Sequence, residues 1–214
     1  MKFLKNLILG LLAILIIIFI ISFGIVSYGT ITRPVEYTEY INKYSEEYDV
    51  DPMLVYSVIK VESNYNPDAH SPMNAHGLMQ ILPETGSWIA ERLKIDYSEE
   101  MLKDPETSIQ MGTYYLSYLV HHFKDRDLAI AAYNGGLGNV EKWLADENLS
   151  KDGESLDEIP FVETRNYVVR VNDNYRIYDL FYGDEKNLED KEHLKPSTLF
   201  KNYLSVLKRI KNDF

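Results

Sequence analysis

From Leu7 to Val26 this chain carries twenty consecutive residues without a charge, preceded by Lys2 and Lys5. A helix of that length rises about 30 Å, the thickness of a bilayer hydrocarbon core. No small soluble fold needs such a segment, so it constrains everything after it. Two readings compete. A cleaved signal peptide has a shorter apolar core, typically about 7 to 15 residues, and a small-x-small site; Ser22-Phe23-Gly24 is a weak match. The length favours an uncleaved transmembrane anchor over residues 7–28, and the two lysines place residues 1–6 in the cytoplasm. The chain is then a single-pass protein of the cell membrane with its remainder extracytoplasmic. Residues 29–35, ending near Pro34, form a linker too short for a stalk.

Residues 34–214 hold 33 acidic and 19 basic side chains, a formal charge of −14. That charge opposes nucleic acid phosphates and anionic headgroups, and a neutral or peptide-bearing polymer fits better. The absence of cysteine excludes a lipid-attachment thiol, a disulfide framework and thiolate chemistry. Residues 36–182 are enough for one domain with its own core.

Helical spacing dominates this stretch. Tyr37, Tyr40, Ile41, Tyr44 and Tyr48 mark a helix over Glu36 to Tyr48. A second opens at Asp51-Pro52 and stops near Asn66-Pro67, because the residue before proline avoids the α region. Pro83 starts a short helix with Trp88, Ile89 and Leu93. Pro105 starts the longest soluble one, with Ile109, Gly112, Leu116, Leu119, Val120 and Phe123 in register and Gly112 permitting close packing. Leu128 to Asn134 is a short buried helix ended by Gly135-Gly136, and Val140, Trp143 and Leu144 mark the next. After a polar loop from Asp146 to Glu158, Pro160 starts a helix through Val168, Val171, Tyr175 and Tyr178. No alternating strand pattern occurs, so the domain is all-α. Residues 183–214 comprise a solvated linker over Asp184 to Lys195 and a helix over Thr198 to Ile210, whose apolar face packs on the domain or meets a membrane surface or a partner.

Glu62 breaks the pattern of its own helix. At 100° per residue it falls between Val58 and Val55, on the arc that also holds Leu54 and Ile59. A carboxyl facing a core is disfavoured in its charged form, so it can keep a proton near neutral pH and donate it as a general acid. A glutamate paired with an arginine, or capped by backbone amides, satisfies the same pattern.

Several separated strings resolve that choice. Glu62-Ser63-Asn64-Tyr65-Asn66-Pro67, Ser71-Pro72, Gly77-Leu78-Met79-Gln80 with Pro83 and Thr85, Ala132-Tyr133-Asn134-Gly135-Gly136, and Ile159-Pro160-Phe161-x-Glu163-Thr164-x-x-Tyr167 follow in order. From about Tyr40 to Tyr182 the chain resembles the family 1 lytic transglycosylase domain, of the soluble-lytic-transglycosylase type. The resemblance implies a lysozyme-like (goose-type/transglycosylase) all-α fold and an enzyme cutting peptidoglycan strands between N-acetylmuramic acid and N-acetylglucosamine, leaving a 1,6-anhydro end. It implies that Glu62 is the single acid/base. Ser71, Met79, Gln80, Thr85, Tyr133 and Asn134 are implied to contact substrate, with Ser63 and Glu163 in support. Taken alone, Tyr133 also suits an ordinary core tyrosine, and Glu163 an acid in a first helical turn. Arg165 is a candidate partner for either acid.

One carboxyl suffices if it first protonates the leaving oxygen and then accepts the proton of an internal hydroxyl. A lysozyme-type hydrolase on the same fold, or a glycan-binding component of a cell-wall synthesis, secretion or conjugation machinery, are the rival readings. Asn74 stands where the family usually has glycine and tolerates a left-handed turn; His76 reads as a surface loop residue. His121 and His122 point to different sides of a helix and no H-E-x-x-H occurs, so no metal or other cofactor is expected.

Overall fold

The computed structural model describes residues 2–183 and 188–212. Nine α-helices lie among them: α1 Lys2–Ile31, α2 Thr38–Tyr48, α3 Pro52–Glu62, α4 Pro83–Leu93, α5 Pro105–Phe123, α6 Arg126–Gly135, α7 Leu137–Leu144, α8 Val162–Tyr182 and α9 Pro196–Asn212. The only β-type pairing among the described residues is two isolated bridges, His70 with His76 and His76 with Ile81. The chain divides into two compact units, residues 36–179 and residues 1–35 with 180–214.

In the first unit, local capping sets where helices begin. Asp51 accepts from the Met53 amide and Pro52 takes the first position of α3; Asp104 and Pro105 do the same for α5, and Asp125 accepts from the Leu128 amide to start α6. Packing then decides how much of each is covered. Met53 through Ile59 are all buried, so α3 is a central helix wrapped on every side rather than a half-buried stripe. α5 and α6 bury Ile109, Met111, Leu116, Leu119 and Leu128 to Ala132.

The end of α3 differs from the sequence expectation. The helix stops at Glu62, well before Pro67, because Asn64 and Tyr65 take left-handed φ values of 51° and 65°. That costs a tyrosine strain, and its Oη compensates by meeting Tyr178 Oη at 2.9 Å in a buried pair. Ending the helix there leaves Glu62 on its last turn, at the mouth of a loop instead of inside a rod.

In the second unit α1 runs on to Ile31, so part of the expected linker is helical. The leucine and isoleucine side chains of α1 stay exposed. Residues 184–187 of the expected linker lie outside the described residues, but the segment after them is not solvated throughout. Leu188 and His193 are buried, and Val35 donates its amide to His193 Nδ1 while its carbonyl accepts from the Lys191 amide. Helix α9 packs against α1 through Tyr203 and Asn202.

Candidate active site

A cleft of about 800 Å³ is lined by Glu62, Ser71, Gln80, Thr85, Tyr115, Tyr133, Asn134 and Glu163, among others. Six separate segments meet there: the end of α3, the loop over residues 71–82, the start of α4, the middle of α5, the end of α6 and the start of α8.

Glu62 keeps some surface in the cleft, but protein atoms surround its carboxyl closely. Burial is the main cause that pushes its pKa up to about 7; a hydrogen bond from Tyr167 and the charge of Arg170 pull the other way, and the nearby Glu163 charge adds to the rise. Tyr167 Oη donates to Glu62 Oε1 at 2.5 Å, and its ring is buried. The hydrogen bond fixes one carboxyl oxygen. Oε2 is the carboxyl oxygen outside that hydrogen bond.

The loop that faces Glu62 is braced by its own polar groups. Gln80, at φ 47°, donates Nε2 to the carbonyls of Ala69 and Gly77. Ser71 Oγ accepts from the amides of Met73 and Ala75. Asn74 takes φ 64°, the left-handed turn its position requires. Gly77 could not be replaced without collision, since a Cβ there would lie 1.9 Å from the Leu102 carbonyl oxygen. His76 is not a surface residue. It is buried against His70, with ring centroids 4.5 Å apart and the two Nδ1 atoms at 3.2 Å.

Met79, expected among the substrate contacts, is fully buried and does not line the cleft. Its Sδ packs where a Cβ on Gly112 would fall, only 2.4 Å away. Its backbone does the positioning instead, because Tyr133 Oη donates to the Met79 carbonyl at 2.9 Å. Ser63 likewise turns inward, donating Oγ to the Ile59 carbonyl at the end of α3. Arg165 reaches Glu158 at 3.5 Å and pairs with neither cleft acid; Arg170 is the cation that acts on Glu62. Thr164 Oγ1 donates to Asn134 Oδ1 at 2.8 Å, tying α8 to the end of α6.

Two participants had no assigned role in the sequence. Tyr167 stands four residues after Glu163 on the buried face of α8, and a buried tyrosine hydroxyl needs a partner, but only the fold shows that the partner is Glu62. Tyr115 extends the wall, its ring 5.5 Å from that of Tyr133.

The description of the transglycosylase SLT domain family matches residues 39–155, more than half of the chain. The chain belongs to that family. It is 36% identical over 159 residues to the soluble lytic murein transglycosylase of Escherichia coli K12, covering 72% of this chain and 25% of that protein. The membrane-bound lytic murein transglycosylase C of Serratia proteamaculans is 30% identical over 169 residues, 68% of this chain and 47% of the relative. Among solved structures, the 70 kDa soluble lytic transglycosylase of Escherichia coli superposes with a TM-score of 0.63 at 31% identity, over 75% of this chain and 27% of that one. An inactive glutamate-to-glutamine mutant of the Slt enzyme of Pseudomonas aeruginosa gives 0.62 at 27%, over 75% and 26%. The chain thus spans a quarter to a half of the length of these relatives. The SLT match ends before α8, so Glu163 and Thr164 line the cleft, and the buried Tyr167 holds Glu62, from beyond the matched residues.

Proposed function

We propose that this protein is a membrane-anchored lytic transglycosylase that cleaves the β-1,4 bond between N-acetylmuramic acid and N-acetylglucosamine, with Glu62 as its single acid/base. The supporting observation is a carboxyl held protonated up to about pH 7, opening on a cleft large enough for sugars. The relatives are murein transglycosylases by name, which supplies the substrate class. One solved relative is inactive with a single glutamate-to-glutamine change, in keeping with a carboxyl-dependent reaction.

In the reaction Glu62 Oε2 gives its proton to the bridging oxygen as the bond from that oxygen to the muramic acid C1 breaks. The muramic acid 6-hydroxyl then bonds to C1, and the Glu62 carboxylate takes the hydroxyl proton, which restores the starting acid. No water is consumed, and the intramolecular hydroxyl has an effective concentration that a water lacks. Tyr133, its proton committed to Met79, retains an acceptor oxygen at the reacting centre. Asn134 has its oxygen committed to Thr164, which leaves its amide NH₂ as a donor to substrate. Residues 7–28 hold this domain at the extracytoplasmic membrane face, with the N-terminus inside. The test is mass spectrometry of digested peptidoglycan. Anhydro ends, lighter by one water, are expected from the wild-type protein and not from Glu62→Gln; hydrated ends would show a hydrolase instead.

A further inference from the structure

Helix α9 has three sides, and each meets different chemistry. Thr198, Asn202 and Tyr203 are buried. Asn202 Nδ2 donates to Thr30 Oγ1 at 3.2 Å, Tyr203 Oη lies 3.0 Å from Ser22 Oγ, and its ring meets those of Phe19 and Phe23, both at 5.5 Å. This side is docked on α1. Next to it on the helical wheel, Ile210, Leu207, Phe200 and Leu204 cover roughly 120° of arc at 100° per residue. They stay open, at 51%, 43%, 51% and 49% exposure. Beside that arc stand Lys208 and Lys201, while in the last turn Lys211 falls within the apolar arc and Arg209 in line with the docked side; all four are exposed. No acidic residue occurs from Pro196 to Asn212, in a chain whose formal charge is −11.

We propose that α9 is a membrane-interface helix, lying on the outer surface of the bilayer beside the end of α1, with Phe200, Leu204, Leu207 and Ile210 in the acyl boundary and its cations at lipid phosphates. The proposal rests on the reading of α1 as an anchor. Phe19, Ser22 and Phe23 belong to the uncharged run that would span the hydrocarbon, so the helix that touches them lies at the depth of its boundary. A helix at that depth cannot keep an apolar side in water, and cannot sink further without immersing three or four cations. Lying flat satisfies both, because lysine and arginine stems reach along the apolar surface while their heads stay with phosphate and water. The acidity of the domain does not oppose this, since α9 itself carries cations and no acidic residue.

The chain has no cysteine, so single cysteines carrying a nitroxide report one position each. The full-length protein is placed in liposomes of phosphatidylcholine and phosphatidylglycerol, and collision with oxygen and with a water-soluble nickel chelate is measured by paramagnetic resonance. Labels at Leu204 and Leu207 should show an oxygen-to-nickel ratio several-fold above labels at Lys201 and Lys208, following the helical period. A nickel-accessible Leu204 and Leu207 would overturn the proposal, and so would shielding from both reagents, which would mean that another protein covers this side. A label at Ile17 separates the two readings. If Ile17 is in lipid while Leu204 is in water, only the interface helix fails; if Ile17 itself meets nickel, the anchor fails and this proposal with it.

Discussion

Helices α1 and α3 are both built from aliphatic residues, and they use them in opposite ways. In α1 the isoleucines and leucines from Leu7 to Ile21 are about half exposed, while in α3 every residue from Met53 to Ile59 is buried. A helix that is apolar all round must be covered by something, either other helices or lipid. α3 is covered by the rest of its domain, and this is why one carboxyl at its end holds its proton more tightly than usual. Protein that excludes water also withdraws the solvation that would keep Glu62 charged. α1 carries no charge in its span, and its covering needs only to be apolar. Apolar composition therefore creates chemistry only where the covering is protein and a polar group is caught at its edge.

Replacing that group should have the largest effect. Glu62→Gln is expected to lower peptidoglycan cleavage by about 10³-fold or more, since the amide cannot donate the proton. It should also stabilise the domain in a pH-dependent way. With a folded value of about 7 against an ordinary 4.5, the folded state binds this proton more tightly than the unfolded chain. The stability that this proton lends the wild-type fold is complete below the unfolded pKa and lost as pH rises through the folded one, a loss the amide variant does not suffer. Thermal melts should thus show no gain for the variant near pH 4 and a gain of about 3 kcal/mol above pH 8. A mutant that melts identically to wild type at both pH values would contradict the assigned desolvation.

The second test compares the two helices with one substitution. Ile59→Ala, in the fully covered helix, should cost about 2–5 kcal/mol in domain unfolding by leaving a cavity. Ile17→Ala should leave the domain transition unchanged. Equal losses would mean that α1 is part of the domain core. A third concerns the loop opposite Glu62. Gly112→Ala pushes on Met79, whose carbonyl holds Tyr133, and overpacking of this kind should cost about 1–3 kcal/mol; kcat should fall with it as Tyr133 is displaced. The smallest effect is expected from Tyr167→Phe. Its hydroxyl favours the charged carboxyl, so losing it should move the alkaline limb of the pH-rate profile upward, by up to about one pH unit. A downward shift would reverse the assigned role of that hydrogen bond.

Several of these features could be read before any fold was known. The helices that open at Asp51-Pro52, Pro83 and Pro105 start where those residues stand, because a cap or an opening proline acts over a few positions, whereas the caps Asp104 and Asp125 emerged only in the structure. Glu62 was visible as an acid in an apolar register, and the turn at Asn74 was implied by the resemblance, since the family usually has glycine there and asparagine tolerates the same backbone. Helix ends and side-chain directions were less legible. α3 stops early through a left-handed Tyr65 that only the distant Tyr178 explains, and Met79 sits in the right string yet faces the wrong way, with Gly112 deciding its direction. His76 was read as exposed although His70 covers it. Arg165 and Arg170 are both on α8, and only their rotation about that helix tells which one reaches Glu62.

The order of motifs, the apolar run and the odd carboxyl belonged to the sequence by itself, since each rests on local spacing or on composition. The pKa of Glu62, the carboxyl oxygen outside its hydrogen bond and the company kept by α9 were decided only by tertiary structure. Desolvation and hydrogen bonding depend on which atoms surround a group, and here those atoms come from residues more than a hundred positions away, as Tyr167 is from Glu62 and Asn202 from Thr30.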